Sequence, residues 1–336
     1  MPSTRFLLTG VTGGLGAKIL DDMLDKHHVP ASDIIATSRS ENNRSRFEAK
    51  GVQFRVANYE RLDTLVEAFK NIENLLFMSS SERDNPKRNR EHENVIEAAK
   101  QAKVKKVWYV SLAFGGFGDT SKIGFQQAHY ETEDKLKNSG LVFIALRAGV
   151  YADAFPLFLN WYSSTKSVLL PEMTPPVAEG KIAFASRDEL GEATATLLAK
   201  GHDAFPAIKP RTEKNIILLT GPKAESRLEL VSAINRGRNT NIAVKYLEPT
   251  DWVEECTKDD EGGKPRAWFE ARVVFTQGVC DGDAELVDPA FETLLGRRPE
   301  TGTETVERLV KEDSGYTWHQ NHARQGGAEL SILSGS

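Results

Sequence analysis

Gly10, Gly13 and Gly16 are spaced G-x-x-G-x-x-G within Phe6-Leu7-Leu8-Thr9-Gly10-Val11-Thr12-Gly13-Gly14-Leu15-Gly16. An apolar run ends at this turn, and a helical pattern from Ala17 to Lys26 begins at once. The chemistry this spacing suits is the binding of a diphosphate. A strand must turn sharply into a helix, the backbone must approach the phosphates without a Cβ in the way, and the helix must pack close to the strand. The free N–H groups and the positive end of that helix then hold the anion. Gly10, Thr12, Gly13, Gly14, Leu15 and Gly16 are the expected contacts of a dinucleotide. A carboxylate after the second strand would select NAD. The chain instead has Ser38-Arg39-Ser40, with Arg44 a few residues on. A guanidinium pairs with a 2′-phosphate, so the reading is NADP; the alternative is that Arg39 is a solvated surface residue. Asn58 and Tyr59 follow the third strand, where Asn58 either meets the adenine amino group or makes a turn. Ser79 and Ser80 follow the fourth strand and are placed along the ribose and phosphates.

Proton chemistry is the next question. Tyr130 lies in His129-Tyr130-Glu131-Thr132-Glu133-Asp134-Lys135. A lysine four residues after a tyrosine would stand beside the phenol on one helix face and lower its pKa. Asp134 holds that position, and Lys135 points elsewhere around the helix. The usual dyad is absent, and Asp134 is expected to raise the Tyr130 pKa. His129 and Glu133 share a face and can form a modest relay, or His129 only packs and hydrogen-bonds. Lys122 is a second weak candidate or a plain surface charge. Ser111, after the fifth strand, reads as a cofactor or packing contact. Missing acid restricts the acceptor. A plain ketone would become an alkoxide and need a strong donor, whereas an iminium becomes a neutral amine and a quinone a stabilised phenolate.

The elements that position these groups alternate through the first half. Strands read at Arg5–Thr9, Asp33–Thr37, Val52–Val56, Asn74–Met78, Lys106–Ser111 and Val142–Arg147, with helical patterns between them. This is an α/β chain with a doubly wound parallel sheet, residues 1–150, followed by a smaller lobe over 151–312 that partly returns to the sheet. From Asp313 to Ser336 the polar, glycine-rich composition reads as a flexible tail. The net charge of −5 argues against nucleic acid as a main partner. No apolar run reaches a membrane span, the first strand leaves no room for a signal peptide, and two cysteines suggest no bridge, so a cytoplasmic setting is expected. No Cys/His cluster has metal-ligand spacing.

In the order of Thr9 to Gly16, Ser38-Arg39, Asn58-Tyr59, Leu75 to Ser80, His129 to Glu133, Leu146-Arg147-Ala148-Gly149-Val150-Tyr151, Leu219-Thr220-Gly221-Pro222 and Leu295 to Pro299, the chain resembles the NmrA-like group of atypical short-chain dehydrogenase/reductases. The resemblance covers nearly the whole chain; Asn58 departs from the group's common Asp. It implies NADP binding, with Gly149 among the contacts. It does not fix one function: some members reduce quinones or other small substrates, others serve specialised metabolism, and others are non-catalytic NADP sensors that bind a protein partner.

The substrate clue is Tyr151-Ala152-Asp153-Ala154-Phe155-Pro156-Leu157-Phe158-Leu159-Asn160-Trp161-Tyr162, which follows the sixth strand. Tyr151, Phe155, Phe158, Trp161 and Tyr162 suggest a pocket for a large flat molecule, or the core of the small lobe. Phe114 and Phe117 flank a glycine-rich loop that would serve as a lid. Asp153 holds a cationic amine or caps a turn. The reading is an NADP(H)-dependent oxidoreductase acting on an aromatic or alkaloid-like imine, iminium or quinone, with a coupled cyclisation conceivable. The rival reading is a sensor without turnover.

Overall fold

The computed structural model describes residues 4–173, 179–258 and 260–322. Strands β1 (Thr4–Leu8), β2 (Ile34–Ser38), β3 (Gln53–Val56), β4 (Ile72–Met78), β5 (Lys106–Leu112), β6 (Phe143–Ala148) and β9 (Ile216–Leu219) form one parallel sheet. Its order is β3-β2-β1-β4-β5-β6-β9, so the direction of winding reverses between β1 and β4. Crevices at such reversals, at the carboxyl ends of the strands, are where doubly wound folds bind ligands.

Alternation along each strand builds two cores. Phe6, Leu8, Trp108, Val110, Ile144, Leu146, Ile217 and Leu219 face one way, onto α1 (Gly14–Asp25), α7 (Arg187–Lys200) and α11 (Ala290–Leu295). Leu7, Leu75, Phe77, Val107, Tyr109, Phe143 and Ile216 face the other way, onto α3 (Leu62–Ala68), α4 (Asn85–Gln101) and α5 (Gly124–Lys137). The short α2 (Arg44–Glu48) lies beside β3.

The second half serves both units. β9, α7 and α11 complete the layers of the first sheet. A separate lobe is made of α6 (Phe155–Leu159), α8 (Arg227–Arg238), α9 (Pro249–Lys258), α10 (Arg266–Cys280) and α12 (Gly302–Glu312). It also contains two small strand pairs. β7 (Ser167–Pro171) runs parallel to β11 (Ala243–Leu247), and β8 (Lys181–Ile182) runs antiparallel to β10 (Glu225–Ser226). Capping boxes at Ser226/Glu229 and Thr301/Glu304 start α8 and α12, which pack on each other. The stretch read as a tail from Asp313 is packed as far as His322. Tyr316 stacks on Phe155 at 5.4 Å between centroids, Trp318 is buried, and the Asn321 amide donates to the Trp161 carbonyl at 2.9 Å. Residues 323–336 lie outside the described residues.

Candidate functional site

The turn after β1 is lashed to β4. Thr9 donates its hydroxyl to the Leu76 carbonyl at 3.0 Å and accepts the Met78 N–H at 2.9 Å. The Tyr59 hydroxyl stands 2.7 Å from Thr9 Oγ1 and 2.8 Å from the Met78 carbonyl, closing the same joint. Gly10 has φ +69°, and a Cβ there would lie 2.6 Å from Met78 Cγ. A Cβ on Gly16 would lie 2.3 Å from the Gly10 carbonyl oxygen, which is why α1 can start so close to the strand. Gly13 is the N-cap of α1, and no side chain caps that terminus. The first amides of α1 are therefore free for an anion, in a cradle that a side chain would fill. The residues present fit the diphosphate of a dinucleotide. The guanidinium of Arg187, from the start of α7, reaches this point: a Cβ on Gly14 would lie 2.4 Å from its Nη1. Arg187 also stacks over Trp318 at 4.8 Å and makes no side-chain hydrogen bond among the described residues. A cation over the positive end of a helix is unfavourable until an anion joins it.

From this turn a cleft of about 390 Å³ runs along the strand ends. Gly10, Thr12, Gly13, Ser38, Arg39, Asn58, Tyr59, Ser79 and Ser80 line it. Ser38 donates to the Ser40 carbonyl at 2.6 Å, shaping the turn that carries Arg39. Arg39 is exposed on the rim, and no carboxylate pairs with it among the described residues. Asn58 accepts the Glu60 N–H at 3.0 Å, so its oxygen is engaged in turn chemistry while the residue lines the cleft. Two cofactor expectations are corrected. Arg44 is turned away, held by Glu41 at 2.7 Å and Glu48 at 3.0 Å over the Phe54 ring. Gly149 packs inside the fold, where a Cβ would meet the Leu219 carbonyl at 2.9 Å. Gly14, Leu15 and Gly16 form the first turn of α1, and the Leu15 side chain is in the core.

The far end of the cleft is lined by Arg88, Glu91, Val110, Ser111, Leu112, His129 and Tyr151. His129 Nδ1 lies 2.8 Å from the Tyr109 hydroxyl, and its Nε2 has no hydrogen bond among the described residues. His92 Nε2 accepts the Ser80 N–H at 2.9 Å, which puts the ring proton on Nδ1, facing Thr132 Oγ1 at 2.7 Å. Burial, with the Arg88 charge adding, holds both histidines well below the ordinary imidazole pKa, so both are neutral. Arg88 is 4% exposed; its Nε donates to the Glu82 carbonyl at 2.7 Å, and its terminal nitrogens have no hydrogen bond among the described residues. Glu91 accepts the Ser80 hydroxyl, and burial pushes its carboxyl up.

The other catalytic candidates are placed elsewhere. Tyr130 points away from the cleft and donates to the Phe114 carbonyl at 2.7 Å. Its phenol is pushed up to about 12, by burial rather than by Asp134, which pairs with Lys214 at 2.9 Å. Glu133 makes no relay with His129; it is fully buried against Arg147 and accepts the Ser111 hydroxyl at 2.6 Å. Lys122 is exposed and outside the cleft lining, and Lys135 pairs with Glu93.

Of the aromatic segment only Tyr151 reaches the cleft; burial pushes its phenol up to about 12. Phe155 and Trp161 are buried in the lobe, and Phe158 stacks on Phe275 at 5.5 Å. Tyr162 is locked into a buried cluster with Asp260, Lys264 and Asn321. Phe114 packs edge-on against Phe125 and Phe275 instead of forming a lid, and Arg211 covers Phe117. Asp153 accepts the Arg187 N–H at 2.8 Å and so caps α7. Sequence reasoning missed Arg88, Glu91, His92, Tyr109 and Arg187. The first three had a signal: three polar residues at helical spacing on the inward face of α4.

Residues 10–166 match the profile of a family described as NAD(P)H-binding. The NmrA-like family domain-containing oxidoreductase flvB of Aspergillus flavus is 42% identical over 323 residues, spanning 96% of this chain and 100% of that protein. Quinone oxidoreductase 2 of Escherichia coli is 32% identical over 248 residues, spanning 73% of this chain and 79% of its own. The solved structure of NADPH-dependent quinone oxidoreductase QOR2 from Escherichia coli, complexed with NADPH, matches with a TM-score of 0.75 at 27% identity over 91% of this chain and 100% of that one. Triphenylmethane reductase of Citrobacter, complexed with NADP(H), shares the fold with a TM-score of 0.76 at 24% identity over 90% of this chain and 99% of that one.

Proposed function

The chain belongs to the NmrA-like family of NAD(P)H-binding oxidoreductases, and from that premise we propose that it reduces a quinone-type or iminium small molecule with NADPH. The cofactor, when bound, supplies the hydride. The observation that carries the choice of acceptor is the set of groups at the far end of the cleft. Arg88 and a neutral His129 face it, while Tyr130 and Glu133 are committed to the fold. A neutral imidazole backed by a buried tyrosine is a weak acid at pH 7. It can donate a hydrogen bond through Nε2 when Nδ1 accepts from Tyr109. The free end of Arg88 adds a fixed positive charge in a low-dielectric wall, suited to an oxygen that becomes a phenolate. An iminium acceptor asks even less of the wall, because reduction removes its charge. Glu91 would favour such a cation in its ionised form. Tyr151 offers a flat apolar ring at the same end.

NADP(H) rather than NAD(H) is supported by Arg39 on the rim beside Ser38, with which no carboxylate pairs among the described residues. The test is NADPH oxidation with a panel of benzoquinones, naphthoquinones and cyclic iminium ions, beside calorimetric titration of NADPH. Turnover with one of these classes is expected. Tight NADPH binding with no turnover on any of them would instead favour a cofactor-sensing protein.

A further inference from the structure

The second lobe contains a buried guanidinium that no carboxylate balances among the described residues. Arg272, on α10, is 5% exposed and lies 4.7 Å from the Trp268 ring centroid, 5.2 Å from Phe275 and 5.6 Å from Phe158. Its Nη1 and Nη2 have no hydrogen-bond partner among the described residues. Among the described residues no carboxylate acts on it, and burial pulls its pKa down to about 9. Two more buried polar atoms without partners among the described residues belong to the walls of the same small cavity, Trp268 Nε1 and Asn160 Oδ1, while Arg227 Nε and Glu179 Oε1 face each other at 3.4 Å as an ion pair without a hydrogen bond. Arg227 is served in part, by Thr276 Oγ1 at 3.0 Å and Glu179 at 3.4 Å. Glu179 is also shared with the Tyr246 hydroxyl at 3.3 Å.

Two arginines and one glutamate leave this cavity with one positive charge in excess. Its unpartnered atoms are mostly donors, and a turn of the Asn160 amide would present an N–H in place of Oδ1. A water molecule could accept hydrogen bonds here but would leave the charge uncompensated, which is the costlier deficit in an aromatic interior. The free space, about 10 Å³ for the centre of a water-sized sphere, admits one small body. We propose that this cavity, enclosed by α6, α8 and α10, binds a monatomic anion of chloride size through Arg272, Arg227 and the Trp268 indole. The site lies in a cavity separate from the cofactor cleft and does not depend on the reaction assigned above. Its role is to hold the aromatic side of α10 against α6 and α8.

The test uses the full chain. Melting temperature is measured in sodium chloride, bromide and gluconate at constant ionic strength, with and without Arg272→Met. The wild type should show a saturating rise in chloride and bromide of roughly 5 °C when the ion is a hundred-fold above half-saturation, and none in gluconate. Arg272→Met should abolish that difference. If that variant fails to fold, Trp268→Phe, which keeps an aromatic ring and removes one donor, should raise the half-saturating chloride concentration several-fold. Wild-type crystals soaked in bromide should give an anomalous peak within hydrogen-bond distance of Arg272. Equal melting in chloride and gluconate, a chloride effect that survives Arg272→Met, an unchanged half-saturation in Trp268→Phe, or an ordered water in place of the bromide peak would each overturn the proposal.

Discussion

Glu133 and Arg147 form an ion pair in which neither side chain has any solvent exposure, closed by Nε–Oε1 at 3.0 Å and Nη2–Oε2 at 2.5 Å. Arg147 goes on to donate to the Gly116 and Gly118 carbonyls at 2.7 Å each, and to Asp119 at 2.8 Å. One charge pair thus ties α5, β6 and the glycine loop together. Without Glu133 the buried Arg147 keeps Asp119, which is partly exposed and shared with Lys214, so the loss lies at the low end of the roughly 3–5 kcal/mol that breaking a buried pair costs. Glu133→Ala should therefore lower stability by that order in urea unfolding, while the folded fraction keeps its hydride-transfer rate within several-fold. Near-native stability with lost turnover would return Glu133 to the chemistry.

The proposed phosphate contacts separate into two kinds. On the proposed reading Arg39 pairs with the 2′-phosphate, which NADH lacks. Arg39→Glu should weaken NADPH by roughly ten-fold or more, the worth of one charge-assisted bond, and leave NADH nearly unchanged. Calorimetric titration with both nucleotides checks it, and an unchanged NADPH affinity defeats the assignment.

Arg187 is the proposed contact of the diphosphate. Its guanidinium lies over Gly14 at the uncapped end of α1, steadied by Trp318. The diphosphate is common to both nucleotides, so Arg187→Met should weaken NADPH and NADH by the same factor, about ten-fold or more. A loss confined to NADPH would mean that Arg187 reads the 2′-phosphate instead.

Why was Arg187 invisible in the sequence when Arg39 was not? Arg39 follows a strand whose partner motif fixes where its side chain must work. Arg187 belongs to a helix more than 170 residues after the glycine turn, brought there only by the packing of α7 on α1. The six strands of the first half were legible because apolar runs and turn residues mark them to within about two residues. The short α11 was not, since six residues after Pro289 carry little periodicity. The site was harder. His129 and Tyr130 are neighbours, and their spacing cannot say which of them faces the cleft; that is set by how α5 rotates against the sheet. Aromatic composition is equally blind, because a lobe core and a flat-ligand pocket use the same residues, and here Phe155, Trp161 and Tyr162 went to the core.

The two buried histidines make a pH prediction. His92 and His129 are held neutral, with pKa values below the ordinary 6.5. Below pH 6.5 the unfolded chain gains protons at these sites that the folded chain does not, so stability is lost as pH falls. Replacing His92 with Gln should lower stability at pH 7 by removing its bonds to Ser80 and Thr132, but the gap to wild type should narrow by about 1 kcal/mol between pH 6.5 and 5.5. Urea unfolding at the two pH values decides it, and a constant gap would show that His92 does not titrate differently on folding.

The sharpest prediction concerns Tyr130. Its hydroxyl is given to the Phe114 carbonyl, its phenol is pushed up to about 12, and it is absent from the cleft lining. The nearest distant-sequence lysine, Lys214, stands 5.7 Å from the ring centroid but is already shared between Asp119 and Asp134 at 2.6 and 2.9 Å. That lysine cannot serve the phenol as the ammonium of a dyad would. Tyr130→Phe should then cost the fold about 0.5–1.5 kcal/mol for one lost hydrogen bond and keep the single-turnover rate of NADPH oxidation within about one decade. His129→Phe, which removes the one imidazole facing the cleft, should slow the same step by more. Were Tyr130→Phe to lose several decades while NADPH and substrate still bind, the phenol would have to swing from Phe114 into the cleft as the proton donor. Ordinary ketones would then rejoin the acceptors that this site can reduce.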